Sequence, residues 1–221
     1  MSIHMHREID QLKASLLGLC GTVQEQLSDA VRAVLDRDPN LADQVERRDQ
    51  EIDAKEIEIE EAALKLLALY QPVALDLRFV IAFIKINNDL ERIGDLAVNI
   101  ARKARTLSQY EPIRLPIDVD AMWKNVKAMI RDSVDSLVQT NAELAADVCR
   151  RDEIVDQQKR DSRRTIEQLI ASQPSAVQPL LQYLAVSRNL ERAADHATNI
   201  AEDVIYLVRG QIPRHQGVGS P

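Results

Sequence analysis

The sequence predicts an all-α fold, two tandem antiparallel three-helix bundles related by an internal repeat, and three observations predict it. First, Asn88–Ala101, NDLERIGDLAVNIA, returns as Asn189–Ala201, NLERAADHATNIA, so that Leu90, Glu91, Arg92, Asp95, Ala97, Asn99, Ile100 and Ala101 reappear 100 residues later. Self-similarity at a fixed offset marks a duplicated structural unit. Second, six glycines, 3% aromatics and abundant Ala, Leu, Glu and Arg favour helix, and no alternating run of β-branched residues argues for a strand. Third, small or apolar residues recur at alternating steps of three and four: Phe83, Ile86, Leu90, Ile93, Ala97, Ile100, Ala104 and Leu107, then Tyr183, Val186, Leu190, Ala193, Ala197, Ile200, Val204 and Leu207. That spacing makes a narrow seam which must pack on other helices.

Taken in order, Leu12, Leu16, Leu19, Val23, Leu27, Val31 and Val34 carry a first helix from Arg7 to Asp36, and Asp38-Pro39 ends it while starting the next. Leu41, Val45, Ile52, Ile59, Leu66 and Leu69 give the second helix its face, and Gln71-Pro72 stops it, because proline clashes with the preceding turn. The third helix spans Ala74 to Leu107, with Asp76 and Arg78 read as capping it or bridging to its neighbours. Tyr110–Asp118, with two prolines, interrupts the pattern. Val119, Met122, Val126, Met129, Ser133 and Leu137 begin a fourth helix that runs to Thr140. The fifth continues to Ala171, Gln173-Pro174 breaks the chain again, and the sixth extends to Arg209. The units are therefore 1–110 and 119–209, joined by a linker at 111–118 and followed by a tail at 210–221 expected to be disordered. The halves should pack with either two-fold or translational similarity.

Composition narrows the function. Twenty-eight Lys and Arg against 35 Asp and Glu give a net charge of −7 without a basic block, which disfavours nucleic-acid binding. Cys20 and Cys149 form no CxxC pair and read as buried thiols of a reducing compartment. No apolar run approaches the ~18 residues of a membrane span, and MSIHMHREID lacks an apolar signal region, so the expected location is cytoplasmic. No nucleophile–base pair or phosphate-cradling glycine loop is visible, so no catalytic activity is expected.

The chemistry-bearing pattern is acidic. Glu91, Asp95 and Asn99 fall outside the seam at intervals of four, as one polar stripe. Helix two carries Asp49 and Asp53 in RRDQEIDAKE, and helix five carries Asp152 and Asp156 in RRDEIVDQQK, 103 residues on. In an antiparallel hairpin turning at Pro72, Asp49 lies opposite Asp95 and Asp53 opposite Glu91. A turn at Gln173-Pro174 likewise opposes Asp152 to Asp195 and Asp156 to Glu191. Four carboxylates should therefore meet on each half: Asp49, Asp53, Glu91 and Asp95, then Asp152, Asp156, Glu191 and Asp195. Left alone they repel, and a cation would relieve the repulsion. Oxygen donors suit magnesium, calcium, manganese or iron, and Asn99 and Asn199 offer neutral oxygens. Glu56 and Glu60 extend the acidic row of the first half, whereas the matching Lys159 and Arg163 oppose it in the second. Tighter metal binding is therefore expected in the first half, with Glu56 among its ligands. The bland alternative pairs these acids with Arg47, Arg48, Arg92, Arg151 and Arg192 as ordinary surface salt bridges; His196 is read as packed or exposed rather than as a ligand.

The runs RRDQEIDAKEIEIEE, ALYQPVALDLRFVIAFIKINNDLERIGDLAVNIA and SRNLERAADHATNIAEDVIYLVRG closely resemble the PhoU family of phosphate-signalling regulators, over essentially the whole chain. The resemblance implies paired three-helix bundles, often a homodimer, whose acidic motifs bind multinuclear metal clusters, commonly iron. It further implies repression of the phosphate-starvation response and of high-affinity phosphate uptake, through contact with the sensor histidine kinase PhoR and the phosphate ABC transporter ATPase PstB. Two rivals stand beside it. A carboxylate-bridged di-iron oxidase or storage bundle requires Glu-x-x-His pairs facing the core, and none occurs. A metal-free helical scaffold predicts that chelators leave stability unchanged.

Overall fold

A computed structural model, described for residues 3–210, contains six α-helices and no strand among those residues. They are α1 (Ile3–Asp36), α2 (Pro39–Tyr70), α3 (Ala74–Leu107), α4 (Val119–Val138), α5 (Ala142–Ser172) and α6 (Val177–Arg209). A single 3-10 turn, Pro174–Ala176, precedes α6. Helix α1 begins four residues before the expected Arg7, and α4 stops at Val138, two residues short of Thr140. The tail expected to be disordered lies, beyond Gly210, outside the described residues.

The turn chemistry explains the boundaries. Asp38 accepts hydrogen bonds from the backbone N–H of Asn40 (2.8 Å) and Leu41 (3.2 Å), with Pro39 in the first turn, where its missing N–H costs nothing. One repeat later Asn141 does the same for Glu143 (3.1 Å) and Leu144 (3.0 Å). Each cap follows a left-handed residue, Arg37 (φ 55°) and Thr140 (φ 53°). The hairpin turns differ: Gln71 closes α2 in the left-handed region, while Gln173 (φ −133°) leads into the 3-10 turn. Helix α3 starts at Val73 with no side-chain cap, so Asp76 is not one; its N–H donates to the Val73 carbonyl, and its carboxylate stands in the first turn, where the helix dipole favours it.

Burial follows the predicted seams. All eight seam residues of α3 are fully buried, and those of α6 are at most 3% exposed. The α1 and α4 faces are buried as well, with Ser133 donating its hydroxyl to the Ile130 carbonyl. Burying each Leu, Ile or Phe contributes about 1.5–3 kcal/mol, so these faces are a main source of the stability of both bundles. Leu69 departs from its expected face: it is 66% exposed near the hairpin tip, with Val73, Leu75 and Leu77 also exposed around the turn. Burial pushes the Cys20 thiol up to about 12 and the half-buried Cys149 thiol up to about 11, which leaves both protonated and unreactive at neutral pH.

The duplicated unit also repeats its polar ties. Arg48 pairs with Asp29 (2.9 Å) across α1 and α2, and Arg151 with Asp132 (2.8 Å) across α4 and α5, both 103 residues on. Lys55 donates to the Thr22 hydroxyl (3.0 Å), and at the matching positions Asn125 donates to Gln158 (3.0 Å). Helices α3 and α6 pack against each other where the halves meet. Lys85, early in α3, reaches Asp203 late in α6 (3.0 Å), while Asn99 and Lys103, late in α3, share a groove with Arg188 and Arg192 early in α6. These two equivalent helices therefore run antiparallel, so a two-fold-like rotation relates the halves, not a translation.

Candidate metal centre on each half

On the first half, Asp53 and Glu56 of α2 and Glu91 and Asp95 of α3 line one open groove of about 480 Å³, with Ile57, Asn88 and Arg92 at its sides. Asp49 sits one turn along α2 and is half-buried. Desolvation first, then the charges of Asp53 and Asp95, raise its carboxyl, against a hydrogen bond from Gln26 that lowers it. Glu91 is raised by desolvation and then by Asp95, Asp53 and Glu56; Glu56 by desolvation, Glu60 and Asp53. The five acids thus repel one another across the hairpin, in the register that the turn at Pro72 imposes.

Two side chains that the repeat did not reveal hold this row in place. Gln26 of α1, fully buried, donates its Nε2 to the Val45 carbonyl (3.2 Å) and to Asp49 Oδ1 (3.1 Å), while its Oε1 has no partner. Asn87, also fully buried, donates to the Glu56 backbone carbonyl (2.8 Å) and side chain (3.3 Å). Both signals were visible only as isolated polar residues inside apolar faces. Neither amide recurs in the second half, where Met129 and Ser187 occupy the equivalent positions.

The second half brings Asp152, Asp156, Glu191 and Asp195 together on α5 and α6. Asp152 is raised by desolvation and then, against the lowering effect of the nearby Thr198 hydroxyl, by Asp156 and Glu191. Asp195, although exposed, is pushed up to about 6 by desolvation of its carboxyl and by Glu191, Asp152 and Asp156. Here, however, Lys159 Nζ lies 2.7 Å from Glu191 Oε1, and Arg160 lies 3.4 Å from Asp156. Lys159 stands where the first half has Glu56. Arg163, expected to oppose a cation beside it, pairs instead with Glu167 (2.8 Å) one turn on.

Three other expectations change. Asn99 and Asn199 lie outside the acidic groove, lining instead the grooves between α3 and α6. The reason is helical drift: every fourth residue advances by about 40°, so Asn99 has turned about 80° from Glu91 toward the other half. His196 bonds through Nδ1 to Asp89 Oδ1 (2.8 Å) and so joins the junction between halves. Of the arginines of the salt-bridge alternative, Arg48 and Arg151 tie helix to helix and Arg92 donates to Asn88 (3.1 Å), while Arg47 and Arg192 make no ion pair among the described residues.

The donor sets are all oxygen, which suits a hard cation. Among the described residues, no group of three or more His, Cys, Asp or Glu is disposed to hold a metal ion as it stands. Side-chain rotation on fixed helices would have to complete any such site, and the first half, with five acids and no cation pairing among them, fits that better than the second.

Comparisons with known proteins agree with this architecture. The PhoU domain model matches residues 16–104 and 119–204, one copy on each half. The phosphate-specific transport system accessory protein PhoU homolog of Pseudomonas putida is 37% identical over 219 residues, covering 99% of this chain and 86% of that protein. Homolog 1 from Thermotoga maritima is 33% identical over 95% of this chain and 90% of its own. The crystal structure of PhoU from Pseudomonas aeruginosa superposes with a TM-score of 0.89 at 37% identity, covering 93% of this chain and 99% of that one. The phosphate transport system regulatory protein PhoU from Streptococcus pneumoniae gives 0.87 at 31%, with 94% and 98% covered. Two PhoU domain matches on two rotated copies of one three-helix unit make the chain a member of the PhoU domain family.

Proposed function

We propose that this protein is an accessory regulator of phosphate transport that represses the phosphate-starvation response and high-affinity phosphate uptake when phosphate is plentiful. The observation that carries the reading is near full-length similarity to phosphate-specific transport accessory proteins, on both halves at once. It is not an enzyme. It acts by contact, with a sensor histidine kinase of the PhoR type and with PstB, the transporter's ATPase, from the cytoplasmic side and as a homodimer. No helix among the described residues is long and apolar enough to cross a membrane.

Metal belongs to this reading as a bound group on the acidic rows: Asp49, Asp53, Glu56, Glu91 and Asp95, and more weakly Asp152, Asp156, Glu191 and Asp195. A multinuclear iron cluster, or magnesium or manganese, would neutralise carboxylates that otherwise repel. The residues of this chain supply the oxygen donors, and Gln26 and Asn87 fix Asp49 and Glu56 against α1 and α3. An oxidase reading is disfavoured by the seams, since every α3 and α6 seam residue is apolar or aromatic and buried, so neither seam turns a carboxylate into its bundle.

The test is a deletion strain grown in high phosphate. Phosphate-starvation genes should be expressed there, and affinity capture with the intact chain should recover the kinase or the transporter ATPase. Normal repression in the deletion strain, with no second copy present, would sink the regulatory reading.

A further inference from the structure

The antiparallel junction of α3 and α6 creates two grooves that the two-fold relation makes equivalent, yet their charges are opposite. One, of about 390 Å³, is lined by Glu60, Lys85, Asp89, Asn199 and Asp203 among others, one cation against three carboxylates. There Lys85 pairs with Asp203 (3.0 Å) and His196 with Asp89 (2.8 Å). The other, of about 280 Å³, is lined by Asn99, Lys103, Ala185, Arg188, Asn189 and Arg192, three cations and no carboxylate. By the 100-residue offset, Lys103 stands where Asp203 does, Arg188 where Asn88 does and Asn189 where Asp89 does. The carboxylates that neutralise one end have been replaced at the other.

Lys103, Arg188 and Arg192 make no ion pair among the described residues, although the chain carries a net charge of −7. Arg188 and Arg192 sit four apart on one helix, where like charges repel, and Lys103 meets them from the other half. Asn189 donates its Nδ2 to the Ala185 carbonyl (2.9 Å), which pins that side chain to α6. Asn99 makes no hydrogen bond with another described residue through its carboxamide and can donate to a ligand.

We infer that the Lys103, Arg188 and Arg192 groove binds a phosphate-class oxyanion, either inorganic phosphate or the phosphoryl end of a small phosphoester. Guanidinium groups meet two oxygens of such an anion through parallel N–H donors, and a lysine adds a mobile point charge. The groove is at the small end of ligand sites, which suits a compact anion and not a peptide or nucleic acid. Because it draws on both halves, an anion there ties α3 to α6. The inference stands apart from the acidic metal rows and from the regulatory partners, and would hold if either were wrong.

Equilibrium dialysis of the full chain with labelled phosphate, and in parallel with ATP, tests it. Excess EDTA removes any metal that could bridge phosphate to the acidic rows. Saturable uptake of one anion per chain is expected, at least tenfold weaker in Arg188→Gln/Arg192→Gln and unchanged in Lys85→Gln, which alters only the acidic groove. Arg188→Lys/Arg192→Lys keeps the charge, loses the fork and should fall between. Tighter uptake of phosphate than ATP assigns the inorganic anion; the reverse assigns a phosphoester. Both arginines are exposed, so the variants should keep the helical circular dichroism of the parent. Absence of saturable uptake of either anion, or uptake that survives Arg188→Gln/Arg192→Gln, would overturn the inference.

Discussion

Lys159 is the residue that makes the two acidic rows unequal, and its removal should be measurable as metal affinity. A cation entering the second row must release Glu191 from the 2.7 Å ion pair with Lys159, whose two side chains are 33% and 16% exposed. Such a pair contributes about 0.2–1 kcal/mol. The ammonium then remains near the bound ion; at about 5 Å a divalent cation and a unit charge repel by roughly 1.5–2 kcal/mol in a water-like medium, and salt with a screening length of ~8 Å halves that. Lys159→Gln should therefore tighten metal binding by the second row by about 1–2 kcal/mol, roughly 5- to 30-fold. Lys159→Glu, which copies Glu56 of the first half, should tighten it further.

The assay is calorimetric titration with manganese in a Glu91→Ala/Asp95→Ala background, which silences the first row. Arg163→Gln serves as the control: its guanidinium pairs with Glu167, so binding should change by less than about twofold. An affinity unaltered by Lys159→Gln, or an Arg163→Gln effect as large, would refute the view that one lysine sets the difference.

Two further outcomes follow from the same coordinates. Asp195 titrates near 6 in the fold against 3.8 when unperturbed, so its ionised form is disfavoured by folding. Without metal, thermal melts should show stability rising as pH falls through about 6 toward 4, a rise that Asp195→Asn flattens; Glu46, held below its ordinary value by Arg105 and Arg102, reverses the trend below about 4.5 as it takes up a proton. In the core, a Cβ on Gly94 would meet Gln26 Oε1 and Ile52 Cγ2, each at 3.3 Å, whereas the second half has Ala194 facing the smaller Val155. Gly94→Ala gains ~1 kcal/mol of helix propensity but overpacks by about 1–3, and Ile52→Val alone leaves a void costing about 0.5–1.5. Valine removes only Ile52 Cδ1, the contact at 3.4 Å, and keeps Cγ2, so the pair should recover part of the overpacking and stay below parental stability; a denaturation cycle in which the two effects simply add would refute the exchange of volume.

The helices were legible because the features that set them are local. Asp38-Pro39, Gln71-Pro72 and Gln173-Pro174 act within one or two turns, and the alternation of three and four in α3 and α6 marks a face whatever that face packs against. The acidic rows were legible for a related reason: an antiparallel hairpin fixes its register from the turn, so equidistance from Pro72 sufficed to bring Asp53 opposite Glu91. Leu69 misled because the covered face of α2 steps by four from Leu66 to Tyr70, which packs against the core, and Leu69 lies off that face. Gln26 and Asn87 were missed because their roles depend on a third helix and a neighbouring one, at separations of 23 and 31 residues, that no local spacing encodes. Lys159 pairs with Glu191 of the row, as a cation placed among these carboxylates was expected to, but Arg163, one turn on, pairs with Glu167, the i,i+4 carboxylate on its own helix.

Duplication explains why the informative positions are those where the halves disagree. A rotated copy begins with equal sites on equal surfaces, and anything that holds the bundle together stays matched: Arg48 with Asp29 and Arg151 with Asp132, Asp38 and Asn141 as caps, the two buried seams. Departures from that matching that change packing or charge include Gly94 with Ile52 against Ala194 with Val155, Glu56 against Lys159, and the paired charges of one junction groove against the unpaired cations of the other. The first exchange conserves side-chain volume. The second places Lys159 in an ion pair with Glu191 where the first half has only carboxylates, and the third leaves three cations without an ion pair among the described residues. Repulsion among Asp49, Asp53, Glu56, Glu91 and Asp95, and among Lys103, Arg188 and Arg192, lowers the stability of the bare chain, so each cluster gains most when an ion of opposite charge arrives. A cation on one row and an anion at the junction would bind within one 34-residue helix, α3, which carries Glu91 and Asp95 on one side and Asn99 and Lys103 on the other. Opposite charges bound to one helix attract, so each ion should strengthen the binding of the other.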